Sequence, residues 1–347
     1  MKNILLYAFF VTIIISCNGK KESSETDDLS KVEIIPTSYT ILNDTSIFNH
    51  CLDFDIYKDY LLVLSYIDKK FVHIYDKNSG KHIKSILAEG RGPGEIPRCR
   101  KISTNVITGK VSWYEFNESK YFSFNIDSII NNEQYIRYIE TSYPNYRAFE
   151  IFEGNDQIIG LGEFYDKKMT RLGLVNSDSV VFRYDYCPEL PELDLENIQA
   201  ALRFNTCWHL SPLNNKLVCG SSNGSVLEIF DIDKTSIKIS SLKVFEKPAY
   251  SMDNKNIPEN AEGKFTYGFS DVYVTSKNIY ASYIGGSDFR NNNKIVEFDL
   301  DGNPLRMLKF DNILIRGICV DESNEKNRIY MMVEKEDQDN FIIYADI

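Results

Sequence analysis

The sequence predicts an all-β fold: a six-bladed β-propeller with four antiparallel strands per blade. Three observations carry this: a strand–turn unit that recurs along the chain, a last unit that stops one strand short, and a surplus strand near the N-terminus. The composition agrees, because 22 Tyr and 21 Phe among 347 residues favour strands.

The repeat is a short alternating strand that runs into Asp or Asn, with a second Asp or Asn two residues later. Its copies are anchored at Asp76 and Asn78, Asn125 and Asp127, Asn176 and Asp178, Asp231 and Asp233, and Asp299 and Asp301. Successive first anchors are 49, 51, 55 and 68 residues apart. Asp and Asn at such positions bond nearby backbone and tolerate left-handed geometry, so each copy is expected to be a β-hairpin tip. A second strand precedes each copy (60–66, 110–116, 157–164, 216–222, 278–284, 328–334), and a third, inner strand precedes that one. The sixth unit ends in FIIYADI, where Ala345 stands in the anchor position and the hairpin partner is missing. An open blade would expose unpaired backbone. The segment 32–42, VEIIPTSYTIL, is therefore expected to supply the outer strand of the last blade and close the ring. A β-sandwich needs neither a repeated anchor pair nor this complementarity of the two ends.

Ahead of the propeller lies an address. Residues 1–17 read MKNILLYAFFVTIIISC, with Lys2 before an apolar run from Ile4 to Ile15 that is too short to span a bilayer but right for a signal peptide. The run ends Ile14-Ile15-Ser16-Cys17, two aliphatics, a small residue and a thiol, which is similar to the lipobox of bacterial lipoproteins. Cleavage before Cys17 and its lipidation are expected, with several acyl chains (palmitate-type) anchoring the protein in the cell envelope, at the outer membrane. The expected division is 1–16 signal peptide, 17–31 lipidated Cys and flexible tether, and 32–347 propeller. Six cysteines then remain (Cys51, Cys99, Cys187, Cys207, Cys219, Cys319), which allow many pairings and select none.

Two further passages support a family resemblance. Gly90-Arg91-Gly92-Pro93-Gly94-Glu95, followed by Ile96-Pro97, is similar to the linker between NHL-type blades, and FSDVYVTSKNIYASYIGG (269–286) is similar to an inner-strand passage of the same proteins. With the lipobox and the repeat, the chain resembles the six-bladed, TolB-like or NHL-like propeller lipoproteins of bacterial envelopes. The resemblance implies a fold. It implies no activity, because one fold hosts unrelated functions.

Composition and motifs narrow the chemistry. With 39 basic and 50 acidic residues the net charge is −11, which argues against nucleic acid as a partner. The four His (His50, His73, His82, His209) form no metal motif, no nucleophile elbow occurs, and no cofactor or metal is expected. Gly92-Pro93-Gly94 lacks the Lys-Ser/Thr of a phosphate loop and reads as a tight crossing between blades.

In propellers the loops leaving each outer strand, and those joining second to third strands, gather on one face. Here the long connections fall there, at 88–99, 131–146, 185–204, 247–267 and 285–293. They are expected to bring Arg91, Arg98, Arg100, Arg147, Arg203 and Arg316 near the channel mouth, beside Tyr146, Trp208, His209, Tyr267, Tyr283, Asp288 and Arg290. Such groups suit anions, sugars or peptide termini. The leading expectation is a non-catalytic binding or scaffolding module for an envelope protein, peptide or glycan. The alternative is a propeller enzyme, a lactonase, lyase or glycan-processing hydrolase, for which the inner strands offer Asp53, Asp55 and Asp271.

Overall fold

The computed structural model describes residues 28–42, 51–92, 95–115, 117–131, 139–142, 146–153, 158–164, 168–175, 180–184, 205–248, 250–252, 258–260, 266–323, 325–335 and 340–347. Cys17, the signal segment, Cys187, Arg203 and the Asn176–Asp178 anchor pair lie outside them.

Six small antiparallel sheets form a ring. Blade 1 runs from its inner strand outward as Cys51–Tyr57, Tyr60–Ile67, Lys70–Asp76 and His82–Glu89. Blade 2 comprises Ser103–Asn105, Lys110–Glu115, Lys120–Asn125 and Ile139–Ser142, and blade 3 Tyr146–Glu153, Ile158–Phe164, Lys168–Val175 and Val180–Tyr184. Blade 4 is Asn205–Ser211, Lys216–Ser221, Ser225–Ile232 and Ile237–Glu246, and blade 5 Tyr267–Val274, Asn278–Gly286, Lys294–Asp299 and Pro304–Lys309. Blade 6 contributes only Leu314–Asp321, Arg328–Glu334 and Phe341–Asp346 from its own unit.

The N-terminal segment closes the ring as expected, and it does one thing more. Thr40–Ile41 pairs antiparallel with the last strand, Thr40 opposite Tyr344 and Ile41 opposite Ile343, and Leu42 N–H extends the ladder to Ile342 O at 2.9 Å. Before that, Ile34–Pro36 adds a parallel fifth strand to the outside of blade 5, with Ile34 opposite Met307. Pro36 has no N–H to donate and sits at the end of this edge pairing, where the chain crosses from blade 5 to blade 6. The segment thus straps two blades together. Upstream, the single aliphatic residue of the 18–31 stretch, Leu29, is buried among Cys207, Leu227, Phe269 and Phe298.

The anchor residues act largely as turn acceptors. Asp76 accepts from Ser79 N–H at 2.7 Å, Asp233 from Thr235 and Ser236 N–H at 2.7 Å each, and Asp299 from Asn303 N–H at 2.8 Å. The second copy differs from the expected hairpin. Asn125 caps a short helix, Ile126–Ile130, by accepting from Ser128 N–H, so the chain makes a helical turn before the outer strand of blade 2. An Asn followed three residues later by a satisfied N–H is a helix cap as readily as a turn.

Apolar faces of consecutive sheets pack between the blades. One core joins blades 5, 6 and 1, a second joins 1 and 2, a third 4 and 5, and a fourth 3 and 4. Their largest fully buried side chains are Tyr75, Tyr280, Tyr330, Phe122, Phe230 and Phe269, which accounts for much of the aromatic content. Two of the hydroxyls find partners across blades: Tyr330 OH donates to Lys77 O at 3.2 Å, and Tyr280 OH accepts from Asn327 at 3.1 Å. Among the described residues no disulfide occurs, and Cys51, Cys99, Cys207, Cys219 and Cys319 are all buried. No described helix is long and apolar enough to cross a membrane.

Candidate functional site

The inner strands present alternate residues to the central channel. Asp53 and Asp55, two apart, share that face, and Asp271, His209 and Lys101 join them from blade 5, blade 4 and the entry to blade 2. The space they enclose is only about 60 Å³. A site for a small organic ligand needs several hundred Å³, so among the described residues this part of the channel is largely filled by its own side chains.

Those side chains tie successive blades together. Asp53 accepts the Ile102 N–H at 2.8 Å, and Asp55 accepts the Thr104 N–H at 2.8 Å, both from the next blade. Asp271 accepts the Ile318 N–H of blade 6 at 2.8 Å, and the His209 ring accepts the Val274 N–H of blade 5 at 3.1 Å. The tethers come with shifted titrations. Burial pushes Asp53 up to about 7, opposed by Lys101 and the Ile102 N–H and reinforced by the neighbouring carboxylates. Burial likewise raises Asp55 and Asp271 to about 6 each. Burial and the Lys101 charge push His209 down to about 3, so it stays neutral, its ring 4.2 Å from that of Tyr273. Among the described residues no group of three or more His, Cys, Asp or Glu is arranged to hold a metal. These carboxylates are acceptors engaged with backbone.

Among the described residues, open space lies instead on the face of the long loops, at the junction of blades 1 and 2. The glycine-rich linker builds it. Gly92 N–H donates to Glu95 Oε2 at 2.8 Å, Gly90 N–H to Ile96 O at 3.0 Å, and Glu95–Ile96 then pairs parallel with Ala88–Glu89. The chain leaves this turn extended, so Cys99 points inward while Arg98 and Arg100 both face solvent. They line a cleft of about 640 Å³ with Leu52, Tyr66, Phe71 and Glu89. A second cleft of about 410 Å³, walled by Arg91, Glu118, Lys120, Phe122 and Glu140, adjoins it through Pro97.

Of the arginines and aromatics expected at the mouth, Arg91, Arg98 and Arg100 are therefore brought together. Arg91 is largely exposed and lies 3.6 Å from Glu118. Arg316, Asp288, Arg290, Tyr283, Trp208, His209 and Tyr267 line neither cleft. Arg316 is paired with Glu334 at 2.6 Å, and Asp288 with Arg290 at 3.0 Å. Tyr283 packs on Phe269, with Lys294 Nζ 5.0 Å from its ring. Trp208 is buried in the core between blades 3 and 4, and His209 is in the channel. Arg147 stands at the second position of the blade 3 inner strand, opposite Glu163. Sequence reasoning missed Tyr66, Phe71 and Glu89 as cleft residues, and Lys101 as a channel charge. The long connection 88–99 and its arginines Arg91, Arg98 and Arg100 were the sequence signals that pointed to this corner.

The family described as TolB-like 6-blade propeller-like matches residues 35–323. Two solved structures share the fold. A Bacteroides fragilis protein described as exported is 10% identical, with TM-score 0.57 over 90% of this chain and 94% of that one. A member of the DUF4221 family from Bacteroides vulgatus is 12% identical, with TM-score 0.56 over 91% of this chain and 98% of that one. No curated protein matches.

Proposed function

The chain belongs to the TolB-like six-bladed propeller family, and from that premise we propose that it is a membrane-anchored envelope protein whose propeller binds a ligand or partner non-catalytically. Binding takes place on the long-loop face. One observation carries this reading: among the described residues Asp53, Asp55, Asp271 and His209 of the channel are engaged in blade-to-blade hydrogen bonds around about 60 Å³ of space, whereas about 640 Å³ lies open beside Arg98 and Arg100. The same observation disfavours a hydrolase or lyase centred on Asp53, Asp55 and Asp271. The anchor is the lipid on Cys17, supported by the Ile14-Ile15-Ser16-Cys17 motif and by the export described for a protein of the same fold.

Two experiments test the proposal. Cys17→Ser is expected to move the protein from the membrane fraction to the soluble fraction and to remove the acyl mass from its N-terminal peptide. An unchanged distribution refutes the anchor. Photo-cross-linkers placed in the full chain at the exposed cleft residue Leu52, which leaves both arginines in place, and, on the opposite face, at Asn214 are expected to trap partners or ligands from the former alone. Equal trapping from both refutes the loop-face reading.

A further inference from the structure

The two adjoining clefts carry a more specific reading, which rests on the binding role just proposed. Among the described residues neither Arg98 nor Arg100 has an ion pair or a side-chain hydrogen bond. Every other arginine whose partners are described, Arg91, Arg290, Arg306, Arg316 and Arg328, faces a carboxylate. Two adjacent unmatched guanidiniums on a protein of net charge −11 form a local anion site. The site also has an apolar wall. Leu52 is 57% exposed and Tyr66 45% exposed, with the Tyr66 ring 5.2 Å from that of Phe71. Glu89, the acceptor of the Tyr66 hydroxyl, completes the rim.

We infer that this groove binds an acidic oligosaccharide, seating a uronate-type carboxylate on Arg98 and Arg100 and the face of its ring on Tyr66 and Leu52. A pyranose combines what the cleft offers: a planar carboxylate for the guanidinium forks, a C–H face for the apolar wall, and hydroxyls for Glu89. The second cleft takes the neighbouring sugar. Its polar lining is of mixed sign, with Lys120 2.9 Å from Glu140 and 3.1 Å from Glu118, which suits hydroxyls, and the largely exposed Arg91 stands there to meet a second carboxylate. An extended peptide fits less well, because it needs main-chain partners. The linker amides that border the groove are already used, Glu89 N–H by Lys69 O, Gly90 N–H by Ile96 O and Gly92 N–H by Glu95, so such partners would have to come from the Arg98–Arg100 segment alone. Inorganic phosphate would satisfy the arginines and leave the apolar wall without a role.

The test is calorimetric titration of the detergent-solubilised full chain with galacturonate, glucuronate and mannuronate trimers. Their methyl esters, inorganic phosphate and an acidic tripeptide serve as comparisons. At least one uronate trimer is expected to bind, and esterification to weaken it about tenfold or more, as the loss of a charge-assisted pair does. Arg98→Ala and Arg100→Ala are each expected to weaken it to a similar degree, Tyr66→Ala to a smaller one, with melting temperatures confirming the fold. The inference is overturned if no uronate binds, if the arginine variants bind as tightly as the parent, or if phosphate or the tripeptide binds as well as the trimer. Should the uronates fail while cross-linking at Leu52 still traps a ligand, the ligand class is wrong and the loop-face reading stands.

Discussion

Lys77 sits in a hairpin between two strands of blade 1, where a lysine would ordinarily be solvated, yet it is 3% exposed. Its ammonium lies 2.6 Å from Asp321 of blade 6, itself 6% exposed, and donates to Ser323 Oγ at 3.2 Å. The pair crosses the seam at which the ring closes. Burial alone would raise Asp321, but the bonds from Lys77 and Ser323 outweigh it and hold the carboxyl below its ordinary range. Lys77→Met removes one charge and leaves the other buried, a change that costs about 3–5 kcal/mol. With about 2 cal/mol/K of unfolding entropy per residue over a propeller of this size, the melting temperature should fall by about 5–8 °C. The double variant Lys77→Met/Asp321→Leu should recover most of the loss, because an apolar pair of similar volume replaces both charges. Because the folded value of Asp321 is depressed, its stabilisation is present above the unfolded value and is lost as pH falls through the folded one. The penalty should therefore shrink below about pH 4. The exposed pair Lys58–Asp127, 57% and 42% exposed, sets the contrast, and its disruption should cost under about 1 kcal/mol. Differential scanning calorimetry across this set decides the matter. A loss at Lys77→Met no larger than at Lys58→Met, or a double variant no better than the single one, would refute the argument.

Other predictions follow from the tethers and the packing. Asp53, raised to about 7 by burial, is more basic folded than unfolded, so its contribution is fully present below the unfolded value near 4 and declines as pH rises toward 7. Asp53→Asn keeps an acceptor for the Ile102 N–H and should flatten that decline. Melting temperatures of both proteins between pH 5 and 8 provide the check, and parallel curves would contradict it. A Cβ on Gly268 would stand 1.6 Å from Gly224 O, where blade 5 passes against blade 4. Gly268→Ala should accordingly exceed the roughly 1–3 kcal/mol typical of overpacking in urea unfolding, or abolish soluble expression. Deleting residues 28–42 removes the outer strand of blade 6 and the fifth strand of blade 5. The shortened protein should unfold in more than one step and associate through the exposed edges, whereas a single unchanged transition by calorimetry would show that the strap is dispensable.

The ring was legible because its signals are local and repeated. Asp76, Asp231 and Asp299 each end an alternating strand, and the missing last hairpin pointed to the N-terminus. The parallel pairing of Ile34–Pro36 was not legible, since a strand's own pattern does not name its partner. Asp53 and Asp55 read as channel-facing acids from their spacing, but their role depends on backbone amides 49 residues away in each case. Lys77 gave no local sign of burial, because what covers it comes from blade 6. At the loop face, the arginines were visible as residue types. The cleft was not, since Leu52, Tyr66 and Glu89 belong to blade 1 strands and meet Arg98 and Arg100 only after the linker has turned.

The proposed role, binding on the long-loop face with the channel as a strut, meets its sharpest test in photo-cross-linking of the full-length protein in intact cells, with the reactive side chain at Leu52 in one variant and at Asn214 in another. A discrete adduct from Leu52 that Arg98→Ala or Arg100→Ala diminishes is expected, and none from Asn214. Adducts from Asn214 alone, or from neither position, would rule that role out.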